Sequence, residues 1–280
     1  MDMMGKLKQK ISAPLRLCVS LIPKRIAPIG RTRADVGPLL VRWTFKSLDW
    51  LYPRNCPGCG VPSDREGRHW CWNCFRKIEF FPQHGGCEIC GQRVEGNVTH
   101  SFVCDVCLAR RPHFDRARAA ADFKDTLRDQ ILAFKYQNAL WMRQDLCDVL
   151  EGAVKAHFPT AQIDVVIPVP LHPVRQRERT FNQAAMLAEA LAERMDRRCD
   201  TQSLIRTRET STQTKLHAAQ RHTNISGAFQ VKRPEWVAQR RILLVDDVMT
   251  TGATLDECAR VLKQANARAV WAVTIARRKS

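Results

Sequence analysis

Eight of the twelve cysteines in this 280-residue chain form four Cys-x-x-Cys pairs within 52 residues. The gaps between successive pairs are 11, 12 and 13 residues. One such pair could be a redox-active dithiol, but four in regular succession indicate zinc, because each pair presents two thiolates to one ion and two pairs complete a tetrahedral shell. The predicted zinc ligands are Cys56, Cys59, Cys71, Cys74, Cys87, Cys90, Cys104 and Cys107.

The sequence leaves open how the four pairs combine. Neighbouring pairs can form two consecutive ribbons, or the first pair can combine with the third and the second with the fourth in a cross-braced arrangement; one or two zinc ions per chain are compatible with the spacing. Residues 45–112 are predicted to be a zinc-ribbon module too small for a core of its own. Replacing Cys56 or Cys74 should therefore unfold residues ~50–112 locally and leave the sheet domain largely formed. The other cysteines are interpreted as ordinary core or surface residues: Cys18, Cys147, Cys199 and Cys258.

A second stretch with chemical potential follows the apolar run at residues 241–245. Two adjacent acids, Asp246 and Asp247, precede a turn of small and hydroxylated residues and then a helical pattern. Such a turn lets backbone N–H groups at a helix N-terminus approach a phosphate, and the acids can accept hydrogen bonds from ribose hydroxyls or help hold a ligand bound to Mg²⁺. The residues predicted to bind a 5-phosphorylated sugar are Asp246, Asp247, Thr250, Thr251, Gly252, Ala253 and Thr254. No G-x-x-x-x-G-K-[ST] motif occurs, which disfavours an ATP-driven motor.

Two basic segments add candidate cations. Arg175, Arg177 and Arg179 alternate along the segment that follows the run Asp164–Val169 and precedes a helix, where they are suited to stabilise the charge of a departing pyrophosphate. A basic surface loop is the alternative interpretation. Lys215 and Arg221 lie in a polar, basic segment further along, and solvated surface charge explains them equally well.

The elements that must position these residues begin near residue 113. Strands are predicted at residues 164–169, 241–245 and 269–275, and helices at residues 125–141, 181–195 and 251–265. Strands that alternate with helices predict an α/β domain over residues 113–280, with a mainly parallel sheet and helices on both faces. Ligands of such sheets bind beyond the carboxyl ends of the strands, which is where both candidate loops fall.

Charge is the other unusual property of the chain. The net charge is +17 and the isoelectric point is near 9.8, which favours polyanionic partners such as nucleic acid. Residues 1–44 form a basic leader rich in Pro and Gly, predicted to be disordered or attracted to membrane surfaces. No apolar run approaches the ~18 residues of a membrane span, and no secretory signal is evident.

Several motifs together resemble one family, the ComF (competence protein F, or ComFC-like) family, from about residue 45 to the end of the chain. The matching segments are Cys-Pro-Gly-Cys-Gly at 56–60, Phe-Asp-Arg-Ala at 114–117, Ala-Phe-Lys-Tyr at 133–136, Pro-Val-Pro-Leu-His-Pro at 168–173, Arg-Thr-Phe-Asn-Gln-Ala at 179–184 and the stretch 244–254. The last of these also resembles the motif with which type I phosphoribosyltransferases bind 5-phosphoribosyl 1-diphosphate (PRPP). The resemblance implies a cytoplasmic protein with an N-terminal zinc finger and a phosphoribosyltransferase domain. It also implies a role in natural transformation and the handling of single-stranded DNA.

The resemblance also implies roles for individual residues. Residues 250–254 would bind the 5-phosphate and the two aspartates the ribose. The three alternating arginines would form the pyrophosphate loop, with Mg²⁺ bound to the pyrophosphate. Lys215 and Arg221 would belong to a flexible lid over the site.

Two functional hypotheses follow. In the first, the protein is a DNA-uptake factor that binds single-stranded DNA or a competence helicase, and the sugar-phosphate site is regulatory or vestigial. In the second, it is an active phosphoribosyltransferase that transfers ribose 5-phosphate from PRPP to an unknown acceptor. The sequence does not decide whether the protein is an enzyme.

Overall fold

The computed structural model describes residues 53–93, 102–179, 181–209 and 225–278. The leader and the predicted lid cations Lys215 and Arg221 lie outside the described residues, as does the side chain of Arg179. The strands are β1 (Arg116–Asp122), β2 (Val165–Pro168), β3 (Arg198–Cys199), β4 (Leu204–Arg206), β5 (Phe229–Val231), β6 (Arg241–Met249) and β7 (Ala269–Arg277). The α-helices are α1 (Trp72–Arg76), α2 (Asp105–Ala109), α3 (Asp125–Tyr136), α4 (Arg143–His157), α5 (Pro173–Arg179), α6 (Gln183–Arg194), α7 (Pro234–Val237) and α8 (Ala253–Gln264).

Five strands form a parallel sheet in the order β1-β7-β6-β2-β3. A separate antiparallel pair joins β4 to β5. The chain leaves β2 through α5 and α6 to reach β3 on one side, and later returns to β6 on the other side of β2. Chain connections therefore run in opposite directions from β2 and β6, and a crevice opens between their carboxyl ends.

Helices cover both faces of the sheet, as predicted. Leu243 and Val245 of β6 pack in one core with α3, α4 and α6, whereas Ile242 and Leu244 pack in a second core with α8. This division follows from strand geometry, because successive side chains of a strand point to opposite faces. A run that is buried on both faces is the sequence pattern of a central parallel strand.

Element boundaries differ from the sequence-based prediction in ways that have local causes. The predicted helix at 125–141 ends at Tyr136, because Asn138 takes a positive φ of 53° that an α-helix does not allow, and a 3₁₀ turn follows at Leu140–Met142. Strand β6 extends to Met249 and so contains both aspartates. The predicted loop at 171–183 contains the short helix α5.

The cysteines at 56–74 form a first ribbon and those at 87–107 form a second. Each ribbon packs against a different face of the sheet domain. Cys56 and Cys74 of the first ribbon share the core of α4, while Cys87 and Cys107 of the second share the core of α8. The second ribbon also joins β1 directly, since the Ala117 amide donates to the Ile89 carbonyl at 2.7 Å. The ribbons and the sheet form one compact unit, and the boundary predicted near residue 112 remains a prediction.

The first ribbon is fixed to α4 through a buried carboxylate. Asp145 is fully buried and accepts hydrogen bonds from the amides of His69 and Trp70 at 2.9 and 3.2 Å. It also accepts one from the Arg65 guanidinium at 3.2 Å. Arg65 reaches Asp148 as well, at 2.6 Å. The Asp145 carboxylate thus satisfies hydrogen-bond donors of the loop at residues 65–70 and fixes that loop to α4.

Among the described residues, none of the helices has the length and apolar character needed to cross a bilayer.

Candidate functional site

The eight predicted zinc ligands form two clusters, each with four sulfur atoms within 4.8 Å of one another. Cys56, Cys59, Cys71 and Cys74 make the first, and Cys87, Cys90, Cys104 and Cys107 make the second. Neighbouring pairs therefore combine, and the cross-braced alternative is excluded. Four thiolates at this separation fit a tetrahedral structural Zn²⁺ site, with no position left open for a substrate.

The two ribbons repeat the same local chemistry. Burial raises the pKa of Cys56, but the amides of Cys71, Gly58 and Cys59 outweigh it and bring the pKa to about 7. Cys87 holds the equivalent position in the second ribbon, where burial is likewise outweighed by amides and the pKa is about 7. Amide N–H groups directed at a sulfur favour the thiolate, the form that binds a metal.

The candidate sugar-phosphate site lies at the crevice between β2 and β6. Strand β6 leads through Thr250 and Thr251 into Gly252, which precedes α8 with φ of 82°. Glycine adopts this left-handed conformation without the cost that other residues bear. Its carbonyl accepts the first α8 hydrogen bond, from Asp256 at 2.8 Å, and the Ala253 amide meets the Thr251 hydroxyl oxygen at 3.4 Å. The first amides of α8 consequently have no partner within the helix.

The acid in the first turn of α8, Asp256, already has neighbours that compensate its charge. Asp256 accepts hydrogen bonds from the His113 amide at 2.6 Å and has His113 Nδ1 at 2.9 Å. The guanidinium of Arg110 lies 4.0 Å away. These contacts compensate a carboxylate that would otherwise repel an anion at this helix N-terminus.

The two aspartates of β6 have different surroundings. Asp247 pairs with Lys135 of α3 at 2.7 Å, and both side chains are mostly buried. Burial raises the pKa of Asp246 to about 7, with a further increase from the charge of Asp247 and opposing effects from Lys135 and Arg206. The Asp246 carboxylate also accepts the Asp247 amide at 2.8 Å. Adjacent positions in a strand direct these side chains to opposite faces.

Lys135 is a site residue that the sequence reasoning missed, although the segment Ala-Phe-Lys-Tyr at 133–136 contributed to the family resemblance. The end of α3 is fixed beside the start of α6. Phe134 contacts Phe181 with ring centroids 6.0 Å apart, and the Gln183 side chain donates to the Lys135 carbonyl at 3.2 Å. This packing brings an ammonium group to the crevice from a helix more than a hundred residues away in sequence.

The three alternating arginines lie in the helix α5, which corrects the expectation of a loop at this place. Arg175 and Arg177 point away from each other, because they are two positions apart in a helix. Arg175 lies 4.0 Å from Glu209, and Arg177 is exposed. Arg179 is the last residue of α5, and its side chain is outside the described part of the chain.

Arg206 interacts electrostatically with groups on both α5 and β6. Burial lowers the pKa of this guanidinium, the charges of Cys258 and Asp246 raise it, and those of Arg175 and Arg208 lower it. Arg206 therefore lies within electrostatic reach of both Asp246 and Arg175. No motif in the sequence marks it, because β4 reaches this place only through the tertiary fold.

A cavity of about 470 Å³ opens next to Arg206. Its walls come from the end of β2, from α5 and α6, and from β4, and they include Pro170, Pro173, Asn182, Met186 and Leu204. Asn182 holds this wall together, since its side chain donates to the Val169 carbonyl at 3.2 Å and accepts from the Ala185 amide at 3.3 Å at the start of α6. The cavity has the size and the mixed apolar and polar lining of a small-molecule site.

Comparison with known proteins agrees with this architecture. The chain is 34% identical over 199 residues to competence protein F of Haemophilus influenzae. The alignment covers 69% of this chain and 84% of that protein. This chain belongs to the competence protein F family. Other members of the family that it resembles are the DNA utilization protein YhgH of Escherichia coli, at 30% identity over 71% of this chain and 93% of that protein, and competence protein ComFC of Bacillus subtilis, at 27% identity over 74% and 83%.

Two domain descriptions match separate parts of this family member. Residues 47–108 match the double zinc ribbon domain, and residues 182–280 match the phosphoribosyl transferase domain. The first match covers both cysteine clusters. The second covers the β6–α8 turn. The fold and the zinc-ribbon module inferred from the motifs are therefore confirmed.

Proposed function

We propose that this competence protein F family member binds PRPP at the β6–α8 turn and acts in DNA utilization by handling single-stranded DNA. The observation that carries the proposal is the turn itself. Left-handed Gly252 turns the chain so that the N-terminus of α8 lies at the carboxyl end of β6, next to Asp246 and Asp247. A helix N-terminus is suited to a phosphate group, because its amides and the helix dipole favour negative charge there.

The rest of the ligand follows from the neighbouring groups. The ribose hydroxyls would lie against the aspartates of β6, since carboxylate oxygens accept hydroxyl hydrogen bonds. The pyrophosphate would extend toward Arg175 and Arg206, whose guanidinium groups are suited to its oxygens. Carboxylate and phosphate oxygens are also the ligands that Mg²⁺ prefers. The donor set therefore fits a magnesium complex of PRPP, in which the metal would offset part of the pyrophosphate charge.

The DNA role is supported by the relatives and by charge. Proteins named for competence and for DNA utilization align with most of this chain. The net charge of +17 favours a polyanion through counterion release. A DNA-handling protein of this kind would act in the cytoplasm, where a partner helicase could meet it.

Calorimetric titration with PRPP in the presence of Mg²⁺ tests the site. We expect saturable binding of one PRPP per chain that weakens at least tenfold in Asp247→Asn. The matched control is Asp129→Asn, because Asp129 is an exposed acid on α3 away from the turn. The absence of PRPP binding by the intact, zinc-loaded protein would reject the proposal, as would equal affinity in the two variants.

A second candidate function is catalytic turnover, and the cavity of about 470 Å³ beside Arg206 favours it. An acceptor base or amine in that cavity would lie next to the proposed pyrophosphate position. The test is isotope exchange between pyrophosphate and PRPP, run with and without a panel of nucleobases. Exchange that depends on one acceptor would support the enzyme, and binding of PRPP without any exchange would leave the ligand in a regulatory role.

A further inference from the structure

A second basic site lies at the opposite edge of the sheet, where the strands begin. A cavity of about 200 Å³ opens beside Val165, the first residue of β2, and its walls include Arg198, Arg233, Arg240 and Trp236. Arg198 pairs in register with Val165, and Arg240 directly precedes β6. Three separate segments of the chain thus bring arginines to one small cavity.

The acids around this cavity compensate its positive charge only in part. Among the residues the structure describes, no carboxylate forms a direct ion pair with Arg198, Arg233 or Arg240, although Asp200 interacts with the charge of Arg233. Asp200 lies in the wall, but its carboxylate accepts the amides of Gln202 and Ser203, each at 2.9 Å. Its pKa is lowered, with burial opposed by the Ser203 hydroxyl, these amides and the charge of Arg233.

Nearby charges strengthen the positive surface. Arg241 pairs with Asp164 at 3.1 Å, so most of the charge of that acid is already compensated, although Asp164 also interacts with Arg240. Exposed Glu235 of α7 is the remaining acid next to Trp236 in sequence. Three further cations, Arg197, Lys232 and Arg268, flank the cavity arginines in sequence or by a backbone hydrogen bond to Arg240.

Trp236 gives this surface a flat aromatic element. Its ring lies 4.7 Å from the Arg198 guanidinium and 5.6 Å from that of Arg240. The indole remains 38% exposed. These cation–π contacts hold two guanidinium groups side by side. An exposed Arg198 can also exchange the indole face for a phosphate and leave that face to a nucleobase.

We propose that this edge of the sheet binds single-stranded DNA, with phosphates against Arg198, Arg233 and Arg240 and a base against Trp236. Cationic grooves combined with aromatic side chains are the common means of binding single strands. A duplex satisfies the phosphate contacts but keeps its bases stacked inside, and an acidic peptide offers no ring for the indole. The single strand is the polyanion that can use both elements of the surface.

The proposed DNA site is remote from the turn that carries the PRPP proposal. The nine residues of β6 separate Arg240 from Thr250, which is about 30 Å at the rise of ~3.3 Å per strand residue. A strand at this end of the sheet therefore need not overlap a phosphate at the turn, although Thr201 lines both this cavity and the one beside Arg206. DNA bound in the crevice itself would instead compete with PRPP.

The test measures binding of a fluorescein-labelled oligothymidine to the full-length, zinc-loaded protein over a range of salt. The triple variant Arg198→Gln, Arg233→Gln, Arg240→Gln should bind at least tenfold more weakly. Its salt dependence should be shallower by about 2 in the log–log slope, because each lost phosphate contact of a single strand accounts for ~0.7. The matched control replaces Arg76, Arg111 and Arg128, exposed arginines elsewhere, by Gln and removes the same net charge.

Two further arms identify the ligand. Trp236→Ala should weaken oligothymidine binding about tenfold, as expected for loss of one stacked base, while Trp236→Phe retains most of the affinity. An abasic oligonucleotide should bind as weakly to the wild type as oligothymidine binds to Trp236→Ala. Equal binding of the abasic strand, or full competition by inorganic polyphosphate at equal phosphate concentration, would show a site for anions in general and overturn the proposal.

The inference rests on the DNA part of the proposed function, and the outcomes separate the two. If the wild type binds oligothymidine and the control triple variant loses as much affinity as the cavity variant, the location is wrong while the DNA role stands. If PRPP with Mg²⁺ displaces the oligothymidine, the strand lies in the crevice and this site is rejected. If the wild type does not bind the strand at all, both the site and the DNA role fail.

Discussion

The ammonium group of Lys135 lies 2.7 Å from a carboxylate oxygen of Asp247 and joins the end of α3 to the strand that enters the β6–α8 turn. Lys135 is 16% exposed and Asp247 11%. The pair is therefore intermediate in burial. Fully solvated ion pairs contribute little to stability, whereas removing one partner of a fully buried pair lowers stability strongly. It compensates the charge of one of the two adjacent acids at the candidate PRPP site.

Lys135→Met should lower the free energy of unfolding by about 1–3 kcal/mol, because Asp247 is left mostly buried without its partner. Urea denaturation measures the loss. The matched control is Lys124→Met at the other end of α3, where the pair with Glu79 is exposed on both sides and should contribute little. The double variant Lys135→Met, Asp247→Asn should recover part of the loss. Purely additive effects would contradict a direct interaction.

Asp246→Asn should stabilise the protein increasingly as the pH rises from 4 to 8. The folded pKa of Asp246, about 7, lies above its ordinary value of 3.8. The folded state therefore binds the proton more tightly, and the carboxylate lowers stability progressively as the pH rises through that window. Above pH 7 the gain should be on the order of 2–4 kcal/mol. Denaturant unfolding at several pH values measures it.

The asparagine in that variant keeps the oxygen that accepts the Asp247 amide, so the comparison isolates the charge. We expect the stabilised variant to bind PRPP more weakly, the behaviour of a residue retained for function at a cost in stability. A stability difference that does not change with pH would contradict the raised pKa.

Gly252→Ala should weaken PRPP binding and lower the unfolding free energy by about 1–2 kcal/mol, the cost of a left-handed conformation for a residue with a Cβ. The added methyl has room, since its nearest neighbours are Met249 Sδ at 3.6 Å and a Phe114 ring carbon at 3.8 Å. The strain therefore comes from the backbone. Calorimetry with PRPP and chemical denaturation measure the two effects.

Gly67→Ala is the control for that experiment, because Gly67 also has a positive φ, of 68°, and lies in the first ribbon. It should show a similar loss of stability with unchanged PRPP affinity. Equal losses of PRPP affinity in both variants would indicate a general effect of destabilisation instead of a phosphate-binding turn.

Asp145→Asn should lower the unfolding free energy by about 2–4 kcal/mol, since Arg65 keeps its charge in a buried site. One carboxylate oxygen accepts the Trp70 amide and Arg65, and the other accepts the His69 amide. Either orientation of the asparagine NH₂ therefore faces a donor. Zinc transfer to a chelator should become faster for one of the two ions, because the second ribbon does not contact Asp145.

The same contacts alter the expected result of removing a ligand of the first ribbon. Considered alone, the cysteine segment suggests that Cys74→Ser would unfold residues 50–112 and spare the sheet. Trp70 and Cys74 pack in one core with Leu146 and Leu150 of α4, so we expect the loss to extend to α4. Hydrogen exchange of α4 amides in Cys74→Ser would show it, and unchanged protection there would favour independent unfolding.

Much of this molecule could be predicted from sequence because the relevant residues are close together in the chain. The spacing of the eight cysteines predicts that they are metal ligands, and the two acids followed by residues 250–254 predict the end of a strand, a turn and a helix N-terminus. Periodicity likewise predicted the central strands and helices to within a few residues. These features depend on local backbone geometry and on ligand chemistry, which one short segment specifies by itself.

Tertiary structure decided everything that joins distant segments. It combined neighbouring Cys-x-x-Cys pairs into two clusters and brought Lys135 to Asp247. It also separated Arg175 from Arg177 on a helix where a loop was expected. It also gathered Arg198, Arg233 and Arg240 from three segments around one cavity. The physical reason is that such contacts depend on how the two faces of the sheet pack and which strand ends become neighbours, and no single stretch of sequence contains that information.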